Sequence, residues 1–284
     1  MPELPEVETI RLGLDHFLRG KTITSLDSGV SKLITGDVSQ VIGASVLGVR
    51  RRAKVLLIDL SSTTTLLIHL KMTGQLVFQS KDEVEKIIGG HPQAAYNQPL
   101  PHKHTHVVFH FDDGSTLYFN DLRKFGWIQI LPTDQVASFG LLKTVGPEPL
   151  SSDFTAQILQ QRLQRYPNRI IFQSLLDQSL IAGIGNIYAN EALYEAGIHP
   201  KRRVREIKPD EWPKLWHAIQ HVLAEGIRYG GTSDSTYVNV EGGRGDYLKH
   251  AHVYRRTIAQ PCGHEVIHQK IGGRTTHYCP IDQT

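Results

Sequence analysis

The spacing of apolar residues divides the chain into two parts. Between Lys21 and about Leu131, short runs rich in β-branched and aromatic residues alternate with turn residues, a pattern typical of strands. The runs cover residues 46–49, 55–60, 65–70, 106–111 and 116–119. From Asp153 onward the apolar spacing is helical, as in Trp212, Leu215, Trp216, Ile219, Val222 and Leu223. The pattern predicts a β-sandwich followed by a helical region.

A helix is predicted ahead of the strands, because Pro5 suits the first turn of a helix and an apolar face follows it. The residues on that face are Val7, Ile10, Leu14 and Phe17. Asp113-Gly114 separates two of the strand runs and predicts a hairpin turn. Residues 145–150, Val-Gly-Pro-Glu-Pro-Leu, are typical of a linker.

Composition limits the classes of partner. The formal net charge is only +3 and the pI is about 8.8, so any nucleic-acid surface must be local. Two cysteines rule out a disulfide framework and suit a reducing compartment. The chain opens on an acidic segment without a basic leader, and no apolar run reaches membrane-spanning length. We expect a cytoplasmic protein with no membrane partner.

The amino terminus carries candidate chemistry. Removal of Met1 would leave Pro2 as a free secondary amine with Glu3 and Glu6 close by in sequence. Such an α-amine has an ordinary pKa of roughly 8, so a sizeable neutral fraction exists at working pH. A neutral amine can condense with a sugar carbon to give an iminium. Pro2 is therefore a candidate nucleophile with carboxylic acid–base partners.

Residues 2–10, Pro-Glu-Leu-Pro-Glu-Val-Glu-Thr-Ile, resemble the amino terminus of the formamidopyrimidine-DNA glycosylases. The resemblance implies a bacterial enzyme of base excision repair that removes 8-oxoguanine and formamidopyrimidines from duplex DNA. It also implies that Pro2 is the nucleophile, that Glu3 is the general acid, and that the Schiff base collapses by β- and δ-elimination. DNA glycosylase and abasic-site lyase activities are both expected.

Further segments extend the resemblance through the predicted sandwich. Residues 51–54, Arg-Arg-Ala-Lys, are interpreted as the opening of a strand, and the resemblance places Lys54 in the active site. It gives His69 a phosphate contact and His104 a DNA contact. Met72, Arg123 and Phe125 match the family's three intercalating residues, which fill the gap in the base stack after extrusion.

The segments 175–178 and 181–193 resemble the helix–two-turn–helix of this family. We expect Asn186 to cap the second helix and to donate to phosphate beside helix-start amides. Pro167 and Phe172 stand where the family often has lysine, so Arg165 or Arg169 is expected to replace that charge.

The glycine-rich stretch of about residues 230–246 resembles the family's lesion-capping loop. Polar side chains in it are candidates for contacts with the extruded base. The candidates are Thr232, Ser233 and Tyr237.

The carboxyl-terminal tail departs from the family pattern of two Cys-x-x-Cys pairs. Ala259 and Asp282 occupy the positions of two of the four cysteines. Structural zinc requires four ligands, so the sequence favours a zincless β-hairpin finger. If zinc is bound, Cys262 and Cys279 would be its ligands together with Asp282 or a histidine such as His264 or His277. The resemblance also assigns Arg274 to the phosphate beside the lesion, and no cofactor is required for catalysis.

The resulting domain prediction is a catalytic β-sandwich at residues 1–133, a linker at 134–150, a helical domain with the capping loop at 151–250 and a finger at 251–284. The fold class is α+β multidomain. The expected partner is double-stranded DNA with oxidised bases or abasic sites, bound by a monomer in the cleft between the sandwich and the helical domain.

Two alternatives stay open at this point. An endonuclease VIII-like glycosylase would act on oxidised pyrimidines, but its members usually have glycine where this chain has Leu4, and a shorter lid region. A non-catalytic accessory that binds damaged DNA is supported only by the degenerate tail.

Overall fold

The computed structural model describes residues 1–82, 84, 86–90, 93–232 and 245–284. The chain forms two compact units, one from Met1–Lys143 with Tyr229–Asp246 and the other from Thr144–Arg228 with Tyr247–Thr284.

The first unit opens with helix α1 (Leu4–Leu18) and continues as strands. In chain order they are β1 (Ile23–Ser28), β2 (Ile34–Thr35), β3 (Val46–Arg52), β4 (Val55–Leu60), β5 (Thr64–His69), β6 (Gly74–Gln79), β7 (Lys86–Gly90), β8 (Thr105–Phe111), β9 (Thr116–Asp121) and β10 (Trp127–Pro132). Short 3-10 turns lie at Ser31–Leu33, Val38–Gln40, Ala94–Tyr96 and Thr133–Ser138, and helix α2 (Gly140–Thr144) ends the unit's first segment.

The strands form a two-layer sandwich. One sheet has the order β1-β8-β9-β6-β7 and the other β2-β10-β5-β4-β3. Neighbours run antiparallel except β2 and β10, which are parallel. The inward-facing side chains of both sheets form one apolar cluster, which also receives Val7, Ile10, Leu14 and Leu18 of α1. Each fully buried side chain of this kind contributes roughly 1.5–3 kcal/mol, so the core fixes α1 and its amino-terminal end against the sandwich.

The second unit is helical and ends in a hairpin. Its helices are α3 (Ala156–Leu163), α4 (Ile171–Leu176), α5 (Asn186–Glu195), α6 (Glu211–Arg228) and α7 (Tyr247–His250), and its strands are β11 (Ile267–Ile271) and β12 (Arg274–Tyr278). Helix α6 packs against α3 and α5, and α5 also packs against β12. Gly272-Gly273 forms the two-residue turn of the hairpin, with Ile271 paired to Arg274.

The predicted fold class is confirmed, including the leading helix, the sandwich, the helical region and the terminal hairpin. Within the sandwich, the apolar pattern did not identify β1, β2, β6, β7 and β10. Among the helices that the structure describes, none combines the length and apolar character needed to cross a bilayer.

The predicted domain boundaries stay a prediction, and the structural division differs from them at one segment. The described residues 229–232 and 245–246 group with the first unit, whereas the sequence placed the capping loop in the helical domain. The physical reason lies in the described part of that segment, where the backbone and hydroxyl of Thr232 donate hydrogen bonds to Glu6 of α1.

Candidate functional site

The amino-terminal end of α1 is held by a buried carboxylate. Pro2 and Glu3 are buried, and Glu3 is the residue that caps the helix. The Glu6 Oε2 atom accepts a hydrogen bond from the Glu3 N–H at 2.8 Å. The Glu6 Oε1 atom accepts from the N–H of Thr232 at 2.9 Å and from its hydroxyl at 3.0 Å. Glu6 therefore links Glu3, the neighbour of the candidate nucleophile Pro2, to Thr232 in the predicted capping loop.

Lys54 lies in the tight turn between β3 and β4, not at the opening of a strand as predicted. Arg51 and Arg52 end β3, and Ala53 has a positive φ of 52° that turns the chain. The Arg51 side chain donates to the Ala53 carbonyl at 2.8 Å and to Glu8 of α1 at 2.8 Å. Only 6% of Lys54 is exposed. The turn is thus anchored to α1, and Lys54 is held in place with it.

His69 ends β5 as a neutral imidazole. Burial, together with the positive charges of Lys71 and Lys54, lowers the pKa of His69 to about 3. The Nδ1 atom accepts a hydrogen bond from the Lys71 N–H at 2.9 Å, which assigns the ring proton to Nε2. The ring packs against Trp127 with centroids 5.6 Å apart. A neutral Nε2–H is a donor suited to a phosphate oxygen across the whole physiological pH range.

Two loops of the first unit expose apolar side chains. Met72 is 41% exposed and Phe125 is 53% exposed, and Leu122, three residues before Phe125, is 39% exposed. The Arg123 guanidinium lies 4.6 Å from the centre of the Phe125 ring, within cation–π range. Exposed large apolar side chains on turns suit insertion between base pairs. The structure thus presents all three predicted intercalating residues on the surface.

Asp121 joins these two loops from inside the protein. It is 0% exposed and ends β9. Its Oδ1 atom accepts hydrogen bonds from the Thr73 hydroxyl and from the Arg123 N–H, the latter at 3.1 Å. Its Oδ2 atom accepts from the Gly126 N–H at 2.7 Å. One buried carboxylate therefore sets the path of both the Met72 loop and the Arg123–Phe125 loop.

Further contacts tighten the same region. The Tyr96 hydroxyl donates to the Thr73 carbonyl and accepts from the Leu122 N–H at 2.8 Å. The His104 carbonyl accepts from the Asp121 N–H at 2.9 Å, which places half-buried His104 beside the intercalating loops. A Cβ atom at Gly74 would lie 2.3 Å from the Leu70 carbonyl oxygen, so only glycine fits where the Met72 turn closes.

The helix–two-turn–helix lies in the second unit and is closed by one glutamine. The Gln178 Oε1 atom accepts from the Gly183 N–H at 2.9 Å, and its amide donates to the Ile184 carbonyl at 2.7 Å. Gly185 then caps α5, so the prediction that Asn186 is the cap is wrong. Asn186 is the first residue inside the helix because the extended Gly185 already ends the turn.

Asn186 instead contacts the finger hairpin. Its side-chain amide donates to the Thr275 carbonyl at 3.1 Å. One helical turn later, the Asn190 Oδ1 atom accepts from the His277 N–H at 2.7 Å. The buried Asn186 Oδ1 atom has no hydrogen-bond partner among the described residues. These two asparagines fix β12 along α5 and bring Arg274 close to the start of that helix.

The cationic candidates of the second unit differ in their partners. Arg274 is exposed, and among the described residues no carboxylate forms an ion pair with it. Arg169 donates to the Asp177 carboxylate at 2.6 Å and stacks 5.1 Å from the Tyr166 ring. Arg274 is therefore available to a phosphate, whereas the predicted DNA contact of Arg169 would compete with an existing ion pair. Both assignments stay predictions.

Glu191 is a structural residue of the finger that the sequence analysis did not identify. It is 0% exposed on α5 and accepts hydrogen bonds from the N–H groups of His252, Val253 and Tyr254 at 2.6–3.0 Å. Burial raises the pKa of its carboxyl, and these donors offset part of that effect. The structural role of Asp121 was missed in the same way, because spacing does not reveal a long-range acceptor. For Glu6, the carboxylate three residues after Glu3 is a capping signal that could have indicated its role.

The finger groups four potential metal ligands. The ligand atoms of Cys262, His264, Cys279 and Asp282 lie within 4.8 Å of one another. His277 is not among them, because its ring packs 4.8 Å from Tyr254 and 4.5 Å from His268. The described part of the predicted capping loop contains Thr232, while Ser233 and Tyr237 lie outside the described residues.

Fold and site together define a DNA-binding protein of the helix–two-turn–helix class. The sequence model of the formamidopyrimidine-DNA glycosylase N-terminal domain matches residues 1–128, and that of the family's H2TH domain matches residues 145–238. This chain belongs to the formamidopyrimidine-DNA glycosylase family.

Individual relatives agree over the full length. The formamidopyrimidine-DNA glycosylase of Pelotomaculum thermopropionicum is 39% identical over 100% of this chain and 99% of its own. That of Desulforamulus reducens is 39% identical over 98% of each chain. Among solved structures, a complex of Lactococcus lactis Fpg with DNA containing an abasic site is 31% identical, covers 99% of both chains and superposes with a TM-score of 0.85. A complex of the same relative with FAPY-dG-containing DNA is 30% identical over 99% of both chains, with a TM-score of 0.83.

Asp121→Asn is expected to loosen both intercalating loops. The new side-chain NH₂ group is a donor, and it would face donors from which a carboxylate oxygen now accepts hydrogen bonds. We expect a loss of about 1–3 kcal/mol in the free energy of unfolding and a slower excision of a damaged base in single-turnover assays. Asp134→Asn, at an exposed position of the same unit, is the control. Wild-type stability and excision in Asp121→Asn would show that this carboxylate does not position the loops.

His69 is expected to make stability sensitive to acid. Its folded pKa of about 3 lies below its unfolded value, so the unfolded chain takes up the proton first as the pH falls below about 6.5. The stability difference between wild type and His69→Gln should therefore shrink by about 2 kcal/mol between about pH 7.5 and about pH 5, measured by urea unfolding. Exposed His217→Gln should show a constant difference, and a constant difference for His69→Gln would contradict burial as a neutral ring.

Proposed function

We propose that this chain excises oxidised purines, such as formamidopyrimidines and 8-oxoguanine, from duplex DNA and then cuts the strand at the abasic site. Relatives at 39% identity over the full length are named for the first activity. The solved relatives hold DNA that contains an abasic site or FAPY-dG. The observation that carries the proposal is the fixed position of Pro2 and Glu3 at the end of α1, tied through Glu6 to Thr232. Such an enzyme would work in the bacterial cytoplasm.

The nucleophile would be the nitrogen of Pro2. Met1 is 37% exposed, which suits its removal, while Pro2 and Glu3 are buried. The freed amine attacks C1′ of the damaged nucleotide, and the electrons of the glycosidic bond leave with the base. Glu3 supplies a proton in this exchange as general acid. Burial strengthens this arrangement, because charges interact more strongly away from water.

Strand cleavage would follow from the same covalent bond. The C1′–O4′ bond of the sugar then breaks, the proton carried by the Pro2 nitrogen passes to O4′, and an iminium forms between that nitrogen and C1′. Loss of a proton from C2′ expels the 3′ phosphate, and a second elimination expels the 5′ phosphate. Water then hydrolyses the remaining adduct and restores the amine. An amine and a carboxylic acid are sufficient for these steps, so the proposal includes no catalytic cofactor.

The other candidate residues would hold the DNA in its distorted form. Met72, Arg123 and Phe125 would fill the gap left by the extruded nucleotide, which recovers part of the lost stacking. Lys54 and His69 in the first unit, and Asn186 and Arg274 in the second, would bind phosphates. Neutral His69 would donate from Nε2, and Arg274 would offer a planar pair of donors. His104 would contact DNA beside the intercalating loops.

The first experiment compares chains that differ only at the amino terminus. On a duplex with 8-oxoguanine opposite cytosine, protein that begins at Pro2 should cut the strand and form a covalent adduct when borohydride is added. The same chain with its terminal amine acetylated, or with Pro2→Gly, should bind the duplex but lose most of both activities. Equal cleavage by the acetylated chain would refute Pro2 as nucleophile. Cleavage only of an oxidised-pyrimidine duplex would indicate endonuclease VIII-like specificity, and binding without cleavage of either would indicate an accessory.

Arg274→Ala should weaken DNA binding and its dependence on salt. Loss of one phosphate contact lowers the slope of log K against log salt concentration by about 0.9. Fluorescence anisotropy at several salt concentrations measures the slope directly. Lys214→Ala removes an exposed charge from α6, and its slope should match that of wild type. An unchanged slope in Arg274→Ala would exclude this arginine from the phosphate contacts.

A further inference from the structure

The finger contains a four-residue cluster with the dimensions of a metal site. The Sγ atoms of Cys262 and Cys279 are 3.9 Å apart. The Cys279 Sγ atom is 3.7 Å from the His264 Nδ1 atom and 3.5 Å from the Asp282 Oδ2 atom. The His264 Nδ1 and Asp282 Oδ1 atoms are 3.5 Å apart.

These distances fit a tetrahedral zinc ion. Zinc binds sulfur at about 2.3 Å and nitrogen or carboxylate oxygen at about 2.0–2.2 Å, so tetrahedral geometry places two sulfurs about 3.8 Å apart. The same geometry gives about 3.6 Å between sulfur and nitrogen, about 3.5 Å between sulfur and oxygen, and about 3.3 Å between nitrogen and oxygen. All four observed distances lie within about 0.2 Å of these values, and the two that involve Asp282 are measured to its two different carboxylate oxygens, Oδ2 for Cys279 and Oδ1 for His264. The ligand set of two thiolates, one imidazole and one carboxylate is also chemically suited to zinc.

His264 occupies the place of a missing cysteine. Ala259, at the position of that cysteine, is 0% exposed within the apolar cluster of the finger. Its N–H donates to the His264 carbonyl at 2.8 Å, so residues 259 and 264 face each other across the turn that carries Cys262. The longer imidazole side chain can therefore present Nδ1 from the opposite side of the turn. His264 can therefore supply the ligand that a cysteine at position 259 would have supplied.

Asp282 replaces the second missing cysteine within a tight turn. Its N–H donates to the Cys279 Sγ atom at 3.4 Å, which orients the sulfur. Gln283 accepts from the Cys279 N–H at 2.9 Å and donates to the Ile198 carbonyl at 2.9 Å. Cys279 is thus held by the helical unit before any ion binds, as residues around structural metal sites commonly are.

We propose that the finger binds one structural Zn²⁺ ion through Cys262, His264, Cys279 and Asp282. Two thiolates and a carboxylate would repel one another at these distances, and a divalent cation removes that repulsion. All four coordination positions come from the protein, so the site is closed and has no position for substrate. This assignment replaces the zincless hairpin that the sequence favours. It is independent of the proposed catalytic activity.

The test is the metal content of the untagged full-length protein, purified without chelators and measured by mass spectrometry of the metal. Wild type should contain one zinc per chain. His264→Ala and Asp282→Ala should lower zinc affinity by more than about 100-fold in chelator competition, beyond the 10–100-fold typical of residues that only orient ligands. Asp282→Cys should keep one zinc per chain. His268→Ala removes a neighbouring finger imidazole outside the cluster and should also keep it.

A cobalt-substituted protein gives a second readout that does not depend on the variants folding. Its visible spectrum should show thiolate-to-cobalt charge transfer and the absorption of a tetrahedral site. Three outcomes would each overturn the proposal. The first is zinc-free wild type with two reactive thiols, and the second is an intact mass that lacks the two thiol hydrogens because of a Cys262–Cys279 disulfide. The third is full zinc affinity in His264→Ala and Asp282→Ala. DNA cleavage plays no part in these outcomes, so they are distinguishable from a failure of the proposed function.

Discussion

A buried carboxylate must be satisfied by donors, and this constraint positions the functional segments of the molecule. Glu6, Asp121 and Glu191 are at most 8% exposed. Removing a carboxylate from water costs several kcal/mol unless hydrogen bonds replace the lost hydration. For Glu6 and Glu191, backbone N–H groups from a distant segment supply these bonds, and for Asp121 the donors are the Thr73 hydroxyl and the N–H groups of the following loop. A segment that leaves its position would therefore leave a buried carboxyl group without its hydrogen-bond donors.

The three carboxylates act on three different parts of the proposed site. Glu6 connects the end of α1, with Glu3, to Thr232. Asp121 connects the loops that expose Met72 and Phe125. Glu191 holds residues 252–254, from which the chain continues into the finger. Rigid elements thus hold segments whose exposed side chains face solvent, as pre-organised binding of a distorted duplex requires.

Sequence alone predicted the fold class and named residues in every one of these regions. The strand runs and the helix face of α1 were readable because burial imposes a period on apolar residues. Lys54 lies in a turn, and Gly185 rather than Asn186 caps α5. Both placements depend on backbone geometry that residue types do not determine. The partners of Asp121 and Glu191 are long-range or come from loops without periodicity. The metal ligands show the same limit, because His264 faces Ala259 only through the turn of the folded finger.

The proposed chemistry depends on attack by the Pro2 nitrogen on the damaged nucleotide. Its most direct test is to digest the borohydride-reduced protein–DNA adduct and to locate the sugar remnant by tandem mass spectrometry. We expect the remnant on the amino-terminal peptide, bonded to the nitrogen of Pro2. A remnant on a lysine side chain, above all that of Lys54, would contradict it and would assign the chemistry to a different amine.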